Sequence, residues 1–434
     1  MINHDSITAV RAARRPIPGT ITNTNPQSYP LYQQYSFAQI PYLVRHALTG
    51  QTGPAALPNG VLKGLPDRYD KVIVLLIDAL GWCFIEPRLD RYPFLRRFRD
   101  QGVVSMLTSQ FPSTTSAHMT TLGTGLTPGE SGVFEWFYYE PMVDRIITPL
   151  LFSLAGDDGR DTLRQLNVDP TKLYPPPLVR QQMIADNVKL YNLIHGDYAN
   201  SVYSTHMKGD GKSIPFKGHS EGLVNLAQAV INEPGRAYFF HYVDTIDSLL
   251  HQYGPGAPQV EAELDSLLYA LETHLHGTLD GNAHNTLLLL TADHGQIGVA
   301  PQKTIFLNQR DPGLVDLLRN TRDGQPIYYG GSGRDMFLYI KPERIEEAIT
   351  RLIAVLDGAA DVCRVSDLIA HGYFGPTTPS ETFLSRVGNL VVLPAQGQLV
   401  WWYVNEKSEQ RFRGHHGGLS PEEMEIGLLA LAYR

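Results

Sequence analysis

Three unbroken apolar runs stand out along the chain: Lys71–Ile77 (KVIVLLI), Ala237–Val243 (AYFFHYV) and Thr286–Thr291 (TLLLLT). Each has the length of a strand and lacks polar alternation, the pattern of a parallel strand covered on both faces. Helical patterning fills the stretches 92–101, 178–195, 221–232 and 259–276. Strands alternating with helices predict an α/β fold, with a largely parallel central sheet and helices on both faces. Residues 1–66 are rich in Pro, Gly, Asn, Gln and Tyr without sustained periodicity. They read as an N-terminal extension packed on the core, with one helix around 37–48. Residues 67–434 read as a single catalytic domain. Its rhythm breaks at 144–169 and again at 305–405, where the short β-like pieces MFLYI, LVVLP and LVWWYV predict a smaller inserted subdomain.

Each of the three runs ends in an acid-bearing turn: Asp78, then Asp244 with Asp247, then Asp293. Ligands of open α/β sheets bind outside the carboxyl ends of the strands, so the pattern predicts that these acids converge. Asp247 and His251 are four residues apart, which on a helix points both side chains the same way. Asp244 is the rival carboxylate, but it has no His at that spacing. Asp293-His294 directly follows its strand; the bland alternative is a helix cap with a surface His. Near the C-terminus, SPEE reads as a helix start with Ser420 as N-cap, Pro421 at the first position and Glu423 closing a capping box. The glycines after His416 allow a close backbone approach, and the histidines before them are free for ligation. In PSTT (112–115) a turn leads into a short helix whose N–H groups favour an anion. A phosphate there would lie beside Thr114 or Thr115, although a Ser/Thr-rich helix start also serves as a simple cap. Asp78, Asp247, His251, Asp293, His294 and His416 supply enough donors for two divalent metal ions. A Thr hydroxyl between such ions would be an activated nucleophile.

The stretches LLIDALGW (75–82), FPSTTSAHMTTLGTGLTPGESGV (111–133), DSLLHQYGP (247–255), TADHGQ (291–296) and HHGGLSPEE (415–423) occur together in one order. In that order and spacing the chain resembles the alkaline phosphatase superfamily. It is most similar to the nucleotide pyrophosphatase/phosphodiesterase branch, from Lys71 to the C-terminus. The resemblance implies an alkaline phosphatase-like fold and two divalent metal ions. Zinc suits the donor set of three His and three Asp, and manganese or iron would tolerate it. By the same resemblance, Asp78, Thr115, Asp293 and His294 belong to one metal, and Asp247, His251 and His416 to the other. Thr115 rather than Thr114 matches the nucleophile, and His416 rather than His415 matches the ligand. The implied reaction is hydrolysis of phosphoric diesters or pyrophosphates through a phospho-threonine intermediate. The implied substrate is a small phosphorylated molecule such as a nucleotide.

One departure stands out. The family places an Asn where it contacts a phosphoryl oxygen, and the same distance from Thr115 lands here on Trp136, beside Glu135. Phosphonoacetate-hydrolase-like or phosphomonoesterase activity on the same site is therefore an alternative. A non-catalytic metal- or phosphate-binding protein is another, but all seven positions carry competent residues. A sulfatase is disfavoured, because no Cys or Ser sits in a C/S-x-P-x-R context. His118 and Trp136 are weak substrate-binding candidates. For His118, one helical turn past Thr115, packing is the favoured reading. The aromatic run Trp136–Phe137–Tyr138–Tyr139 suits stacking on a flat group as well as core packing. His206, Lys208 and His219 lie in polar surroundings that could touch substrate. The stretch GSGRDMFLYI (331–340) recurs in similar bacterial proteins and receives no catalytic role.

Composition narrows the partners. The chain has 434 residues, 43% hydrophobic and 18% charged, with a formal charge of −8. It shows no Lys/Arg block, so neither a nucleic acid polymer nor an anionic membrane is expected as a partner. The longest early apolar run, VIVLLIDALGW, is too short to span a bilayer and contains an Asp. Cys83 and Cys363 make no disulfide scaffold, which points to a reducing compartment. The first twenty residues lack the apolar segment of a secretory signal, and a cytoplasmic location is expected.

Overall fold

The computed structural model describes residues 1–19, 26–54 and 56–434. Its centre is a seven-stranded sheet. The strands are β1 (Lys71–Ile77), β2 (Val103–Thr108), β3 (Lys189–Leu193), β4 (Lys212–Ser213), β5 (Ala237–Val243), β6 (Thr286–Thr291) and, at the C-terminus, the last strand of the chain (Glu425–Tyr433). β1 lies between β5 and β6, parallel to both, with Ile77 opposite Val243 and Leu76 opposite Thr291. β3 continues the parallel set beside β5, and β4 pairs with β3. The C-terminal strand runs antiparallel between β6 and β2.

The three apolar runs thus form the middle of the sheet with the bounds their hydrophobicity predicts. Every side chain from Val72 to Ile77 is fully buried. Each such aliphatic side chain contributes roughly 1.5–3 kcal/mol of burial, so this register is strongly preferred over any that would expose it. Because β1, β5 and β6 are adjacent and parallel, their carboxyl ends open on the same edge. The residues just beyond them, Asp78, Asp244 and Asp293, are brought together by topology alone.

The helical stretches need one correction. The helix expected over 178–195 ends at Ala185, and Lys189–Leu193 is strand β3. Asn187 adopts a left-handed conformation (φ +60°), and the Val188 N–H closes back on the Met183 carbonyl, so the helix is capped there. Beyond the cap, parallel pairing with the buried edge of β5 outweighs the local helical pattern. The other helices run Ile40–Thr49, Pro93–Gln101, His219–Asn232 and Pro258–Ala270, the last continuing as a π-helical turn over Leu271–His276.

Two further helices carry chemistry: α1 (Thr115–Thr124), and α2 (Thr245–Tyr253), which leaves the end of β5. Between 305 and 405, Met336–Leu338, Leu390–Pro394 and Ala360–Arg364 form a separate antiparallel sheet. An apolar cluster of its own, including Leu317, Leu352, Val392 and Trp401, packs beside it. At the other end of the chain, the Asn3 N–H is hydrogen-bonded to the Val104 carbonyl, and Phe37, Ile40 and Val44 join the main core. Among the described residues no helix is long and apolar enough to cross a membrane.

Candidate active site

At the end of β1 the chain turns through Asp78, Ala79 (φ +60°) and Gly81. Gly81 lies flat against the turn that follows β6. A Cβ built on it would stand 2.7 Å from the Gly295 Cα, and one built on Gly295 would stand 2.1 Å from the Glu422 carbonyl. Only glycine at these positions lets the turns after β1 and β6 close together. Asp293 fixes that closure, its Oδ1 accepting the N–H groups of Ala79 (3.2 Å) and His294 (3.0 Å).

The remaining side chains arrive from three other segments. Thr115 is the first residue of α1, preceded by the extended Thr114. Its Oγ1 lies 3.3 Å from Asp78 Oδ2 and 3.3 Å from His294 Nε2. On α2, His251 Nε2 stands 3.4 Å from Asp247 Oδ1, as i,i+4 spacing predicts. His416 comes from the Gly-rich turn before the last strand. Its Nε2 is 3.8 Å from Asp247 Oδ1, and its ring stacks on that of His294 at 3.7 Å. His294 Nε2 is 3.4 Å from both Asp78 Oδ1 and Asp293 Oδ2. The structure therefore gathers all seven side chains singled out in the sequence.

The histidines are oriented alike. Nδ1 of His251 faces the Gly414 carbonyl (2.9 Å), Nδ1 of His294 the Gly295 carbonyl (3.0 Å) and Nδ1 of His416 the Ser113 carbonyl (2.8 Å). A carbonyl only accepts, so each Nδ1 carries a proton, which leaves each Nε2 turned towards the acids. Metal-ligating histidines are held this way. Among the described residues, nothing donates to two of the acid oxygens: Oδ1 of Asp78 and Oδ2 of Asp293 are buried without a hydrogen-bond partner. Burial, reinforced by Asp293 and Asp247, pushes the Asp78 carboxyl well above its usual range. Burial and the neighbouring histidines hold His416 well below its own. Imidazoles anchored through Nδ1, with Nε2 turned towards buried carboxyl groups, are the donor set a divalent cation satisfies. Two groups of donor atoms lie within 4.8 Å of one another: Asp78, Asp293 and His294, and Asp247, His294 and His416. His294 belongs to both, whereas the family resemblance pairs His251 with Asp247 and His416.

The other candidates are placed as follows. Asp244 accepts the Tyr198 hydroxyl (3.1 Å) and belongs to neither group of donor atoms. His118 is fully buried; its Nδ1 donates to the Thr114 carbonyl (2.7 Å) and its Nε2 accepts the Gln110 N–H (3.0 Å). Neither nitrogen is left for substrate, so His118 braces the turn before Thr115, and burial lowers it to about 4. Trp136 lines a cavity of about 1240 Å³ that opens from Thr115, Asp247 and His416. His206 binds the Pro175 carbonyl and His219 the Thr245 hydroxyl; neither they nor Lys208 line that cavity.

Several contributors escaped the sequence reading. The Tyr242 hydroxyl, on β5, donates to Asp78 Oδ2, and Gln296 Nε2 donates to Asp247 Oδ1. The stretch 331–340 braces the His416 turn. Arg334 grips Glu423 through two bonds of 3.0 Å and also reaches the carbonyls of Ala395 and Gln398. Glu423 in turn accepts the N–H of Gly418. Glu135, in the cavity wall, meets Asp335. Glu135 Oε1 and Asp335 Oδ2 have no donor, and each carboxyl's other oxygen is used by backbone or Ser332 groups. Burial pushes Glu135 up to about 8. Gln296 and Tyr242 sit within or beside recognised motifs, but Arg334 and Asp335 carry no local signal that points across the fold.

The profile of type I phosphodiesterases/nucleotide pyrophosphatases matches residues 72–419, most of the chain and every segment of the cluster. The chain belongs to that family. It is a class of two-metal hydrolases that cleave phosphodiester or pyrophosphate bonds. No curated protein matches the sequence. Among solved structures, human ectonucleotide pyrophosphatase/phosphodiesterase 5 superposes with a TM-score of 0.60 at 17% identity, covering 83% of this chain and 87% of that one. The murine protein, solved as an inactive threonine-to-alanine variant in complex with AMP, gives 0.58 at 17% identity, covering 83% and 87%. At that identity the likeness shows the shared fold.

Proposed function

We propose that the chain is a metal-dependent phosphodiesterase in which Thr115 is the nucleophile. The observation that carries this reading is the position of Thr115 Oγ1, at the N-terminus of α1, 3.3 Å from both Asp78 Oδ2 and His294 Nε2. Asp78, Asp293 and His294 would hold one divalent ion, and Asp247 and His416, with His251 beside them, the other. Zinc suits these donors, with manganese or iron as substitutes. Bound there, two divalent ions supply Lewis-acid stabilisation of charge on the entering and leaving oxygens.

The chain's own groups do the rest. Asp78 Oδ2 is the acceptor towards which the Thr115 hydroxyl proton points. Thr115 Oγ1 attacks phosphorus in line, the P–O bond to the leaving alcohol breaks, and the phosphoryl group is carried on Thr115. Water attacking from the vacated side then breaks the Thr115 O–P bond and restores the hydroxyl. The N–H groups of the first turn of α1 face the non-bridging oxygens, where the helix end favours negative charge. Tyr242 and Gln296 hold the carboxylates of Asp78 and Asp247 in place. The inactive murine relative lacks a threonine and was solved with AMP, which supports both the nucleophile and a nucleotide as substrate. A cytoplasmic setting fits the two unpaired thiols.

The test is turnover of bis-p-nitrophenyl phosphate, p-nitrophenyl phosphate and a phosphonate ester. Metal-stripped protein re-titrated with zinc or manganese would be used, with Thr115→Ala alongside. Faster diester turnover that returns with metal and vanishes in the variant is expected. Substantial activity in Thr115→Ala with metal still bound would sink the covalent mechanism. Faster monoester turnover would overturn the diester assignment.

A further inference from the structure

The cavity beside Thr115, about 1240 Å³, is far larger than a phosphate group needs. Its wall carries three Lys or Arg side chains among the described residues: Arg145, Lys407 and Arg411. Each already has an acid. Arg145 pairs with Asp323 (2.6 Å), Lys407 with Asp158 (2.9 Å) and Arg411 with Glu409 (3.3 Å). The wall adds further acids in Asp157 and Glu406. Outside the Asp and His cluster, then, this surface has no surplus positive charge among the described residues.

Next to Trp136 the balance is no more favourable to an anion. The wall there carries another acid, Glu135, and its neighbour is a further acid, Asp335. Both side chains are fully buried. The groups acting most strongly on them include no cation. Protonated, this pair offers no charge; ionised, it offers a negative one. In neither state does it attract a second phosphate. A pyrophosphate linkage would set its extra negative charge against this wall, with only cations already engaged by carboxylates to receive it. A simple diester brings a single charge, which stays on the phosphorus beside Thr115.

Resting on the phosphodiesterase reading, we propose that this site takes phosphodiesters whose ester groups are uncharged, and discriminates against pyrophosphates. The three exposed acid partners at the rim are what keep the cations from serving a second phosphate. Exposed ion pairs contribute little to stability, so freeing the cations should change selectivity without disturbing the fold.

The experiment compares kcat/KM for p-nitrophenyl thymidine 5′-phosphate and for a dinucleoside pyrophosphate. It uses the metal-loaded wild type and the triple variant Asp158→Asn, Asp323→Asn, Glu409→Gln. The wild type is expected to favour the diester by at least about tenfold, close to the scale of one unfavourable charge contact in a water-like dielectric, as fits an exposed wall. In the triple variant that preference should narrow by about tenfold through a gain on the pyrophosphate, and the gain should shrink at high salt. Equal turnover of both substrates by the wild type would overturn this inference and leave the phosphodiesterase reading standing. An unchanged preference in the variant would overturn it too, by removing the cavity's charge as the cause. Inactivity of the metal-loaded wild type on both would overturn the phosphodiesterase reading and this inference with it.

Discussion

Replacing Arg334 by Met tests whether the His416 turn is held by a buried ion pair. The guanidinium makes two 3.0 Å bonds to Glu423 and bonds of 2.7 and 2.8 Å to the carbonyls of Ala395 and Gln398. Both side chains of the pair are almost wholly buried, at 3% and 0% exposure. Removing one partner of such a pair costs about 3–5 kcal/mol, because the other charge stays buried alone. Two carbonyls also lose their donors, at about 1 kcal/mol each, and the Met side chain recovers part of the packing. A loss of about 4–6 kcal/mol is therefore expected at neutral pH. The pH dependence gives a second check. Burial alone would raise the Glu423 carboxyl, but Arg334, Ser420 and the Gly418 N–H together hold it below its usual value. In the wild type this carboxylate's contribution is fully present above its unfolded pKa of 4.5 and is lost as pH falls through the lower folded value. In the variant, burial acts without the guanidinium and the folded pKa rises above 4.5, so stability falls as pH climbs from 4.5 towards neutrality. The gap between the two proteins should widen over that range. Urea unfolding at pH 4.5 and pH 7.5 measures it. A gap below about 1 kcal/mol, or one independent of pH, would refute the reasoning.

Three further outcomes are expected. Gly417→Ala should lose at least about 2 kcal/mol in chemical denaturation, since φ is +118° there and the new Cβ would stand 2.5 Å from Ser332 Oγ and 2.6 Å from Asp335 Oδ1. Gln296→Ala should weaken metal binding by about 10- to 100-fold in a competition titration while leaving the unfolding midpoint of the metal-free protein nearly unchanged, because it releases Asp247 Oδ1. Metal-stripped protein should lose thermal stability as pH rises above the unfolded Asp78 value of 3.8, since the folded form keeps a proton that the unfolded chain gives up. Saturating zinc should abolish that slope, and identical melting profiles with and without metal from pH 5 to pH 8 would contradict it.

What the sequence made legible follows from how far each signal had to reach. β1, β5 and β6 are read from composition because a strand buried on both faces needs no partner to declare itself. Once those three are parallel neighbours, the convergence of Asp78 and Asp293 is a consequence of sheet geometry. Asp247 and His251 are legible for a different reason, the four-residue spacing within one helix. β3 was hidden because Lys189–Leu193 has no pattern of its own that distinguishes it from the helix before it; the turn at Asn187 and the edge of β5 decide it. Arg334 was hidden more deeply. Its partner lies 89 residues away, and nothing local separates a buried Arg that grips Glu423 from an exposed one. The same holds for Glu135 and Asp335, two acids whose meeting no spacing rule foretells. Donor atoms around a metal announce themselves because the chemistry restricts them to few residue types at strand ends. The groups that hold those donors rigid, or that set the charge of the cavity beyond them, are drawn from any residue type at any separation. Specificity is therefore the part of this enzyme least available from sequence, and it is the part the cavity's paired charges bring within reach of experiment.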